Sequence, residues 1–302
     1  MTSWTAADAP DQTGRTALVT GANSGLGLQT SLALARKGAR VLMACRDAGR
    51  GQAALQRVRA EVPGSEVELV ALDLAALASV ESAAGLVHER VATLDLLVDN
   101  AGVMATPRLS TADGFEMQLG TNHLGHFALT GRLLPLLLAA QDPRVVVVSS
   151  GVHRIGSMNF EDLQSARSYS RWGAYGQSKL ANLLFAGELG RRYPGLIVAA
   201  AHPGYAATHL QNGHGSAVLA GVMKMGNAVL AQSDEGGALP SVYAATMPDV
   251  RSGDYWGPGV LELRGAPKRV GRSRAASDLE AARRLWEESE RLTGVVYASP
   301  SV

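Results

Sequence analysis

A tyrosine and a lysine lie four residues apart in the segment Tyr175-Gly176-Gln177-Ser178-Lys179. On a helix this spacing places both side chains on one face, where the phenol and the ammonium group can act together. A phenol with a pKa near ~10 transfers protons poorly at neutral pH, and an adjacent positive charge favours the phenolate and lowers that pKa. The segment therefore indicates a general acid/base pair, although a chance pair on the surface also fits the spacing.

The sequence TGANSGLG, at residues 20–27, follows a short aliphatic run and contains Gly21, Gly25 and Gly27. Glycines at a strand-to-helix junction allow a tight turn and let backbone N–H groups approach a pyrophosphate at the helix N-terminus. The spacing is G-x-x-x-G-x-G and differs from the G-x-G-x-x-G of long-chain dehydrogenases. It predicts a dinucleotide site, and the alternative is a turn that happens to be rich in glycine.

Both motifs need a sheet to position them, and short aliphatic runs alternate with helix-compatible stretches from residue 15 onward. Strands are predicted at 16–20, 40–45, 67–72, 94–98, 145–149 and 196–201. Helices are predicted at 25–37, 48–62, 76–90, 114–140 and 175–193. Runs that are apolar throughout are typical of a sheet covered on both faces, and strict alternation predicts right-handed crossovers between parallel strands. The expected fold class is α/β, a doubly wound Rossmann-type parallel sheet.

The segment 205–232 breaks this alternation immediately after the sixth predicted strand. The carboxyl ends of the strands face the ligand crevice in a doubly wound sheet, so this segment, with its glycines and apolar side chains, is predicted to form a helical lid. Residues 277–292 predict an amphipathic helix. We therefore expect a single Rossmann-type domain over 15–295, after a flexible segment at 1–14 and before a tail at 296–302.

The composition gives no indication of a nucleic-acid partner, because the formal net charge is +1. Charged residues make up 18% of the chain and hydrophobic residues 46%, a balance typical of a globular domain. Cys45 is the only cysteine, which excludes an intramolecular disulfide. Residues 1–14 lack the features of a signal peptide, and no apolar stretch approaches the ~18 residues of a membrane span. We expect a soluble, cytoplasmic protein with no membrane span.

Several motifs, taken in order along residues 15 to about 208, resemble the short-chain dehydrogenase/reductase family. They are the glycine motif, Asn100-Ala101-Gly102 after the fourth predicted strand, Ser150 at the fifth, the Tyr175 and Lys179 pair, and Pro203-Gly204 after the sixth. Three stretches resemble the retinol-dehydrogenase-like branch: TNHLGHF at 121–127, YGQSKLANLLF at 175–185 and LWEES at 285–289. The resemblance implies an enzyme that moves a hydride between a nicotinamide cofactor and an alcohol/carbonyl pair.

The resemblance also implies a catalytic set of Asn122, Ser150, Tyr175 and Lys179. Tyr175 would be the general acid/base, and Lys179 would lower its pKa and hydrogen-bond the nicotinamide ribose. Ser150 would stabilise the developing alkoxide, and Asn122 would hold a water that links Lys179 to solvent.

A larger set is implied for cofactor binding, with Asp73 on the adenine amino group, Asn100 and Gly102 beside the adenosine, and Thr208 on the carboxamide. The full set is Gly21, Asn23, Ser24, Gly25, Leu26, Gly27, Arg46, Asp73, Leu74, Asn100, Ala101, Gly102, Tyr175, Lys179, Pro203, Gly204 and Thr208.

The end of the second predicted strand bears on the choice of cofactor. An acidic residue there binds the ribose hydroxyls of NAD, whereas this chain has Cys45 followed by Arg46. A guanidinium group suits a 2′-phosphate, and Asp47 is expected to cap the next helix. These residues predict a preference for NADP(H). NAD(H) stays possible if Arg46 stacks on adenine.

Two departures from the family pattern stand out. Asp99 precedes Asn100 where many members have asparagine, and the interval from Ser150 to Tyr175 is about a dozen residues longer than usual. The longer interval implies an insertion within 151–174, as in the retinol-dehydrogenase-like branch. Ser149 is an alternative to Ser150 as the catalytic serine, but a shift of one residue on a strand would turn its side chain to the opposite face.

Two of the histidines, His123 and His126, lie three residues apart, a spacing that places them on one face of a helix. No cysteine or carboxylate cluster accompanies them, so we expect packing and backbone hydrogen bonds and no metal site. Cys45 is expected to be a small buried residue and not a nucleophile. His153 and Trp172, inside the insertion, either contact the substrate or pack against the protein.

The leading hypothesis is a carbonyl reductase or alcohol dehydrogenase acting on a small molecule, expected to be bulky and apolar. A C=C reductase similar to protochlorophyllide reductase is an alternative, but that branch is associated with an active-site cysteine, and Cys45 lies by the adenosine end. A catalytically silent dinucleotide-binding protein is a third, and the complete catalytic set argues against it. Whether the substrate is a retinoid, a steroid, a polyketide ketone or a small aldehyde stays open. Family members often form a homodimer or homotetramer through the helices predicted at 114–140 and 175–193.

Overall fold

The computed structural model describes residues 3–204 and 232–298, and these residues contain one sheet of eight strands. The strands are β1 (Thr16–Thr20), β2 (Arg40–Cys45), β3 (Val67–Ala71), β4 (Leu96–Asp99), β5 (Arg144–Val148), β6 (Ile197–Ala201), β7 (Tyr255–Val260) and β8 (Arg264–Arg269). Their order in the sheet is β3-β2-β1-β4-β5-β6-β7-β8. The first six lie where the sequence predicts strands. The predicted lid at 205–232, with Thr208, lies outside the described residues except for Gln232.

Eight α-helices are present in the described part of the chain. They are α1 (Gly25–Arg36), α2 (Ala48–Glu61), α3 (Leu77–Arg90), α4 (Met117–Leu119), α5 (Gly125–Leu138), α6 (Arg171–Arg192), α7 (Asp234–Thr246) and α8 (Leu279–Thr293). Three-residue and five-residue 3₁₀ turns lie at Ala6–Asp8, Gly151–Ile155 and Ala275–Ser277. Within residues 3–204 and 232–298, no helix has both the length and the hydrophobicity that crossing a bilayer requires.

The sheet is covered on both faces, because successive strand residues point to opposite sides. On β1, Leu18 packs into the larger core cluster, which includes side chains of α3, α5, α6 and α8. Ala17 and Val19 pack into a second cluster with α1, α2 and α7. Because all three side chains are fully buried, β1 lies at the centre of a doubly wound fold, as the sequence predicts.

The sheet departs from the prediction at its far edge. The seven strands β1 to β7 are parallel to their neighbours, whereas β8 pairs with β7 in antiparallel fashion. Neither β7 nor β8 was predicted from the sequence. The sequence of β7 contains two glycines and a proline, and β8 contains Pro267 and three basic residues, so neither resembles a strand. Among residues 3–204 and 232–298, β8 is the edge strand of the sheet on this side, a position where proline is tolerated.

Asp99 is the last residue of β4 and is only 1% exposed. Its Oδ2 accepts a hydrogen bond of 3.0 Å from Thr130 on α5, and its Oδ1 has no partner among the described residues. Burial raises the pKa of Asp99 to about 8, because removal from water penalises the carboxylate. The side chain is therefore largely uncharged at neutral pH, at the position where the family often has asparagine.

We expect Asp99 to make the stability of the fold depend on pH. The carboxyl ionises near its ordinary pKa of 3.8 in the unfolded chain, whereas in the folded chain it keeps its proton up to about 8. Between these values the folded state binds one more proton, so this group lowers the free energy of unfolding by ~1.4 kcal/mol for each unit of rising pH.

Asp99→Asn removes the titrating proton and should flatten the pH dependence by that slope, as measured by urea unfolding between pH 5 and pH 8. Glu287→Gln, a change at an exposed side chain on α8, is the matched control and should keep the wild-type slope. Parallel pH dependences for wild type and Asp99→Asn would contradict the assignment.

Candidate active site

The site lies at the carboxyl ends of the parallel strands, where the strand order reverses between β1 and β4. A cleft of about 330 Å³ opens at this point. It is lined by the following residues of the predicted cofactor set: Gly21, Asn23, Ser24, Gly25, Leu26, Gly27, Arg46, Asp73, Leu74, Asn100, Ala101 and Gly102. Six residues outside the predicted set also line it: Cys45, Asp47, Arg50, Leu72, Val103 and Thr121. Two of these had a signal, because Arg50 lies in the first turn of the helix that follows Arg46 and Val103 directly follows the Asn-Ala-Gly motif.

The glycine motif forms the turn from β1 into α1. Gly21 and Gly25 have φ of 67° and 54°, in the left-handed region that favours glycine. A Cβ on Gly27 would lie 2.4 Å from the carbonyl oxygen of Gly21 and 2.6 Å from Nδ2 of Asn100, so no side chain fits there. The side chain of Ser24, the N-cap, makes no capping hydrogen bond, which leaves N–H groups of the first turn of α1 available to a ligand. This combination fits the pyrophosphate of a dinucleotide.

The hydroxyl of Thr20, at the end of β1, joins three segments of the site. Its Oγ1 accepts hydrogen bonds of 2.9 Å from the backbone N–H groups of Asn100 and Ala101. His126 lies 2.9 Å from the same oxygen through Nε2, and its Nδ1 lies 3.0 Å from the carbonyl oxygen of Asn122. A carbonyl only accepts, so Nδ1 carries the proton, and burial lowers the pKa of His126 to about 4. As predicted, this histidine makes packing and hydrogen-bonding contacts.

Asn122 lies in a π-helical turn, Gly120–Leu124, which interrupts the helix predicted over 114–140. Such turns are often found at functional sites. The Asn122 side chain accepts from the N–H of Val103 at 2.7 Å and donates to Ser178 Oγ at 2.9 Å. It therefore ties the loop after β4 to α6. Its predicted role of holding a water stays a prediction.

Ser150, Tyr175 and Lys179 lie close to one another, but none of the three is among the residues that line the cleft. Tyr175 is 8% exposed, and the Ser150 hydroxyl lies close enough to its phenol to favour the phenolate. Lys179 Nζ lies 5.8 Å from the centre of the Tyr175 ring and donates to the carbonyl oxygen of Val148 at 3.1 Å. A Cβ on Gly102 would lie 3.5 Å from Nζ and 3.0 Å from Oδ1 of Asn122, so the loop after β4 connects the cleft to this group.

The protonation of the pair differs from the expectation. Burial raises the pKa of Tyr175 to about 12, and the Ser150 hydroxyl opposes this rise only in part. Burial also lowers the pKa of Lys179 to about 8. Loss of water is the largest influence on the pKa of the phenol, and the lowering of that pKa by Lys179 stays a prediction. At neutral pH Tyr175 carries its proton, which is the form that a general acid requires.

The geometry separates the two candidate serines. Ser149 is 2% exposed, and its hydroxyl donates to the carbonyl oxygen of Lys179 at 2.8 Å, away from the phenol. Ser150 follows the strand and caps the 3₁₀ turn Gly151–Ile155, with its Oγ accepting from the N–H of Val152. Of the two hydroxyls, Ser150 is the one that faces Tyr175.

Two residues of the insertion, Trp172 and His153, differ in their exposure to solvent. Trp172 is 47% exposed, and its ring meets that of Tyr175 edge to face at 6.1 Å. A substrate at the phenol can therefore reach it. His153 has no exposed surface and both ring nitrogens are within hydrogen-bonding distance of backbone atoms, so contact with a substrate is excluded.

Pro203 and Gly204 follow β6 but do not line the cleft between β1 and β4. The N–H of Gly204 donates to Nδ1 of His202 at 3.1 Å, and the carbonyl oxygen of Pro203 accepts from Gln232. The Gly204 φ of 69° explains the glycine, and a Cβ there would lie 2.4 Å from the carbonyl oxygen of Leu263.

The adenosine end of the cleft carries two arginines. Asp47 caps α2 as predicted, accepting from the N–H of Arg50 at 2.9 Å, and it pairs with the Arg50 guanidinium at 3.1 Å. Arg46 is exposed at the cleft and has no carboxylate partner among the described residues. Burial raises the pKa of the Cys45 thiol, as expected for an unreactive side chain. Residues 3–204 and 232–298 contain no group of three or more His, Cys, Asp or Glu able to hold a metal ion.

Comparison with known proteins agrees with this geometry. A model of the family described as short chain dehydrogenase matches residues 15–218. Human retinol dehydrogenase 13 is 42% identical over 297 residues, which cover 96% of this chain and 87% of that protein.

Two solved structures are similar over most of the chain. An uncharacterised protein from Mycobacterium paratuberculosis is 44% identical with a TM-score of 0.83, covering 98% of this chain and all of that one (100%). The complex of Pseudomonas aeruginosa RhlG with NADP is 26% identical with a TM-score of 0.65, covering 81% of this chain and 94% of that one.

Gly27→Ala should destabilise the fold, because the added Cβ meets a backbone carbonyl at 2.4 Å that cannot move without opening the turn. We expect a loss of ~1–3 kcal/mol in the free energy of unfolding by urea, as for other overpacked sites. Gly85→Ala on α3 is the control, since nothing lies within 4 Å of its Cβ and alanine favours a helix. A Gly27→Ala variant as stable as Gly85→Ala would contradict the packing of the turn.

Proposed function

The chain belongs to the short-chain dehydrogenase family and is an oxidoreductase that acts on CH–OH groups with NAD(P), and we propose a more specific activity for it. It is an NADP(H)-dependent carbonyl reductase or alcohol dehydrogenase for a bulky apolar compound. The observation that carries the proposal is the grouping of Ser150 and Lys179 around Tyr175, next to a cleft whose glycine turn fits the pyrophosphate of a dinucleotide. We place the carbonyl oxygen of the substrate at the Tyr175 phenol, beside the Ser150 hydroxyl.

The cleft residues hold and orient the cofactor in this proposal. The N–H groups at the start of α1 bind the pyrophosphate, Asp73 and Asn100 lie toward the adenosine, and Lys179 binds the ribose next to the nicotinamide. The nicotinamide supplies the hydride in reduction and accepts it in oxidation. Thr208 is proposed to bind the carboxamide of the nicotinamide, and the segment 205–232 is proposed to form a lid over the substrate, as predicted from the sequence.

Proton transfer is assigned to Tyr175. In reduction its phenol gives a proton to the carbonyl oxygen as that oxygen gains negative charge, while the Ser150 hydroxyl stabilises the same oxygen. The ammonium group of Lys179 then offsets the charge left on the phenolate, because opposite charges attract strongly in a buried site. A pKa of about 12 keeps the phenol protonated before reduction. Asn122 connects Lys179 toward solvent.

An apolar substrate is supported by exposed apolar side chains on the segments that carry Ser150 and Tyr175. Trp172 packs on Tyr175 with half of its surface exposed, and Ile155, at the end of the 3₁₀ turn after Ser150, is 70% exposed. Aromatic and aliphatic surface beside a few polar groups is typical of sites for apolar small molecules. The name retinol dehydrogenase 13 identifies one such alcohol for a relative. We propose a long or polycyclic apolar aldehyde or ketone for this chain.

The preference for NADP(H) over NAD(H) rests on the adenosine end. Cys45 supplies no carboxylate to repel a 2′-phosphate, and the exposed Arg46 and Arg50 lie at the same end of the cleft. A charge-assisted hydrogen bond to phosphate contributes about 1.5–3 kcal/mol. The RhlG complex with NADP provides a precedent within the fold. A cytoplasmic location and a homodimer or homotetramer complete the proposal on the sequence arguments alone.

The proposal predicts that the wild-type chain oxidises NADPH when all-trans-retinal or decanal is added, and reduces polar aldehydes such as glyceraldehyde more slowly. Tyr175→Phe should lower kcat at least ~10²-fold while NADPH binding, measured by fluorescence titration, is retained, because only the proton donor is lost. Tyr169→Phe, a phenol away from Ser150, is the control and should keep the wild-type kcat. Turnover by Tyr175→Phe within a few-fold of wild type would overturn the catalytic assignment.

Arg46→Ala should reduce the NADPH over NADH ratio of kcat/KM by ~10-fold or more, because a phosphate contact is lost. Arg57→Ala is the matched control, since Arg57 lies on α2, pairs with Glu61 and does not line the cleft. An unchanged ratio in Arg46→Ala, or equal efficiency of both cofactors in the wild type, would contradict the proposed preference.

A further inference from the structure

His153 is a fully buried histidine directly behind the proposed catalytic serine, and the proton transfer described above does not use it. It lies in the 3₁₀ turn Gly151–Ile155, for which Ser150 is the N-cap. Its Nδ1 is 2.7 Å from the carbonyl oxygen of Ser150, and its Nε2 is 3.1 Å from the backbone nitrogen of Ser273. The imidazole ring therefore connects Ser150 to a segment that lies 120 residues beyond His153 in the chain.

The two partners fix the protonation of the ring. A carbonyl oxygen only accepts a hydrogen bond, so Nδ1 must carry a proton, and a backbone N–H only donates, so Nε2 must be unprotonated. The ring is thus the neutral Nδ1–H tautomer. Protonation of Nε2 would break the bond from Ser273, and burial lowers the pKa of His153 accordingly.

The surroundings hold this ring in place. Its face meets the edge of the Tyr255 ring on β7 at 5.6 Å, and Arg154, Glu262 and Arg272 are the charged groups that act on it. Ser273 lies between β8 and α8. The carbonyl oxygen of Ser150 receives a second bond from the backbone N–H of His153 at 3.1 Å. The backbone of Ser150 is therefore fixed from two directions.

The position of the Ser150 hydroxyl follows from its backbone, because a serine side chain has a single rotatable bond before its oxygen. That oxygen accepts from the N–H of Val152 at 3.3 Å, which orients it further. We propose that His153 is a positioning residue, which holds the Ser150 hydroxyl against Tyr175 by donating from Nδ1 to the Ser150 carbonyl oxygen and accepting at Nε2 from Ser273. The inference rests on the proposed function for the step that Ser150 assists.

Two substitutions separate the two hydrogen bonds. His153→Asn places an amide nitrogen near the position of Nδ1 and preserves the donor to Ser150, but it does not reach Ser273. His153→Gln places an amide oxygen near the position of Nε2 and preserves the acceptor for Ser273, but it loses the donor to Ser150. Each variant removes one hydrogen bond between the side chain and a backbone group, so a purely structural role predicts similar losses for both.

The proposal predicts a split between the variants. In NADPH-dependent reduction of all-trans-retinal, or of decanal if the wild type reduces it faster, His153→Gln should lower kcat about tenfold. His153→Asn should stay within about threefold of wild type, with NADPH affinity unchanged in both. In a Ser150→Ala background, His153→Gln should have no further effect on kcat, because the hydroxyl that it displaces is already absent.

Equal losses of kcat in the two variants, or the same loss from His153→Gln in the presence and absence of Ser150, would overturn the proposal. The wild type supplies a second test should either variant fail to fold. Nitrogen NMR of histidine-labelled protein at pH 7 should show a neutral ring, protonated at Nδ1, whose signal is lost in the variant that folds. His126, which is also protonated at Nδ1, should keep its signal in that variant. A ring protonated at Nε2, or a charged one, would also overturn the proposal.

The NMR test needs no substrate. If the wild type reduces neither aldehyde, the proposed function fails, whereas the hydrogen bonds of His153 are still decided by its tautomer. If the wild type turns over and Tyr175→Phe does not, but the two His153 variants behave alike, the proposed function stands and only the role of His153 fails.

Discussion

One hydroxyl oxygen, Oγ1 of Thr20, holds the two halves of the doubly wound sheet in register at the place where the cofactor cleft opens. It is fully buried, and it satisfies the N–H groups of Asn100 and Ala101 while also bonding to His126. Unpaired polar groups in this position would each cost about 1–3 kcal/mol. The glycine turn, the loop after β4 and the π-helical turn of Asn122 therefore have one relative arrangement in which every partner is satisfied.

Burial governs the charges around that arrangement. It raises the pKa values of Tyr175 and Asp99, to about 12 and about 8, and lowers those of Lys179 and His126, to about 8 and about 4. Each change favours the uncharged form. The interior of the site is consequently a region where a new charge is felt strongly, so the few fixed donors, Ser150 and Lys179, have a large influence on any oxygen that becomes negative.

The elements around the cleft were predictable because few residue types fit their local geometry. Gly21 and Gly25 need positive φ, Gly27 has no space for a Cβ, and the aliphatic strands β1 to β6 are covered on both faces. The spacing of Tyr175 and Lys179 on α6 was equally informative for placing the two groups together.

The other features of the fold and the site depend on contacts between distant parts of the chain, and a local sequence pattern does not predict such contacts. The strand β8 forms through pairing with β7, against its own composition. The π-helical turn cannot be distinguished from α-helix by its periodicity, and the bond between His153 and Ser273 spans most of the insertion and the hairpin. The rise in the pKa of Tyr175 was missed for a similar reason: a spacing shows that Lys179 is near, but it does not show how much water the fold removes.

The basic and proline-containing sequence of β8, which does not resemble a strand, also affects how readily the protein aggregates in concentrated solution. An exposed edge strand offers unpaired N–H and C=O groups to any other extended chain and is a common starting point for aggregation. Of the six residues of β8, Arg264, Lys268 and Arg269 are basic and Pro267 lacks an N–H group. Two such edges would repel each other and leave the ladder incomplete at the proline. The last strand thus closes the sheet on this side against growth into an intermolecular one.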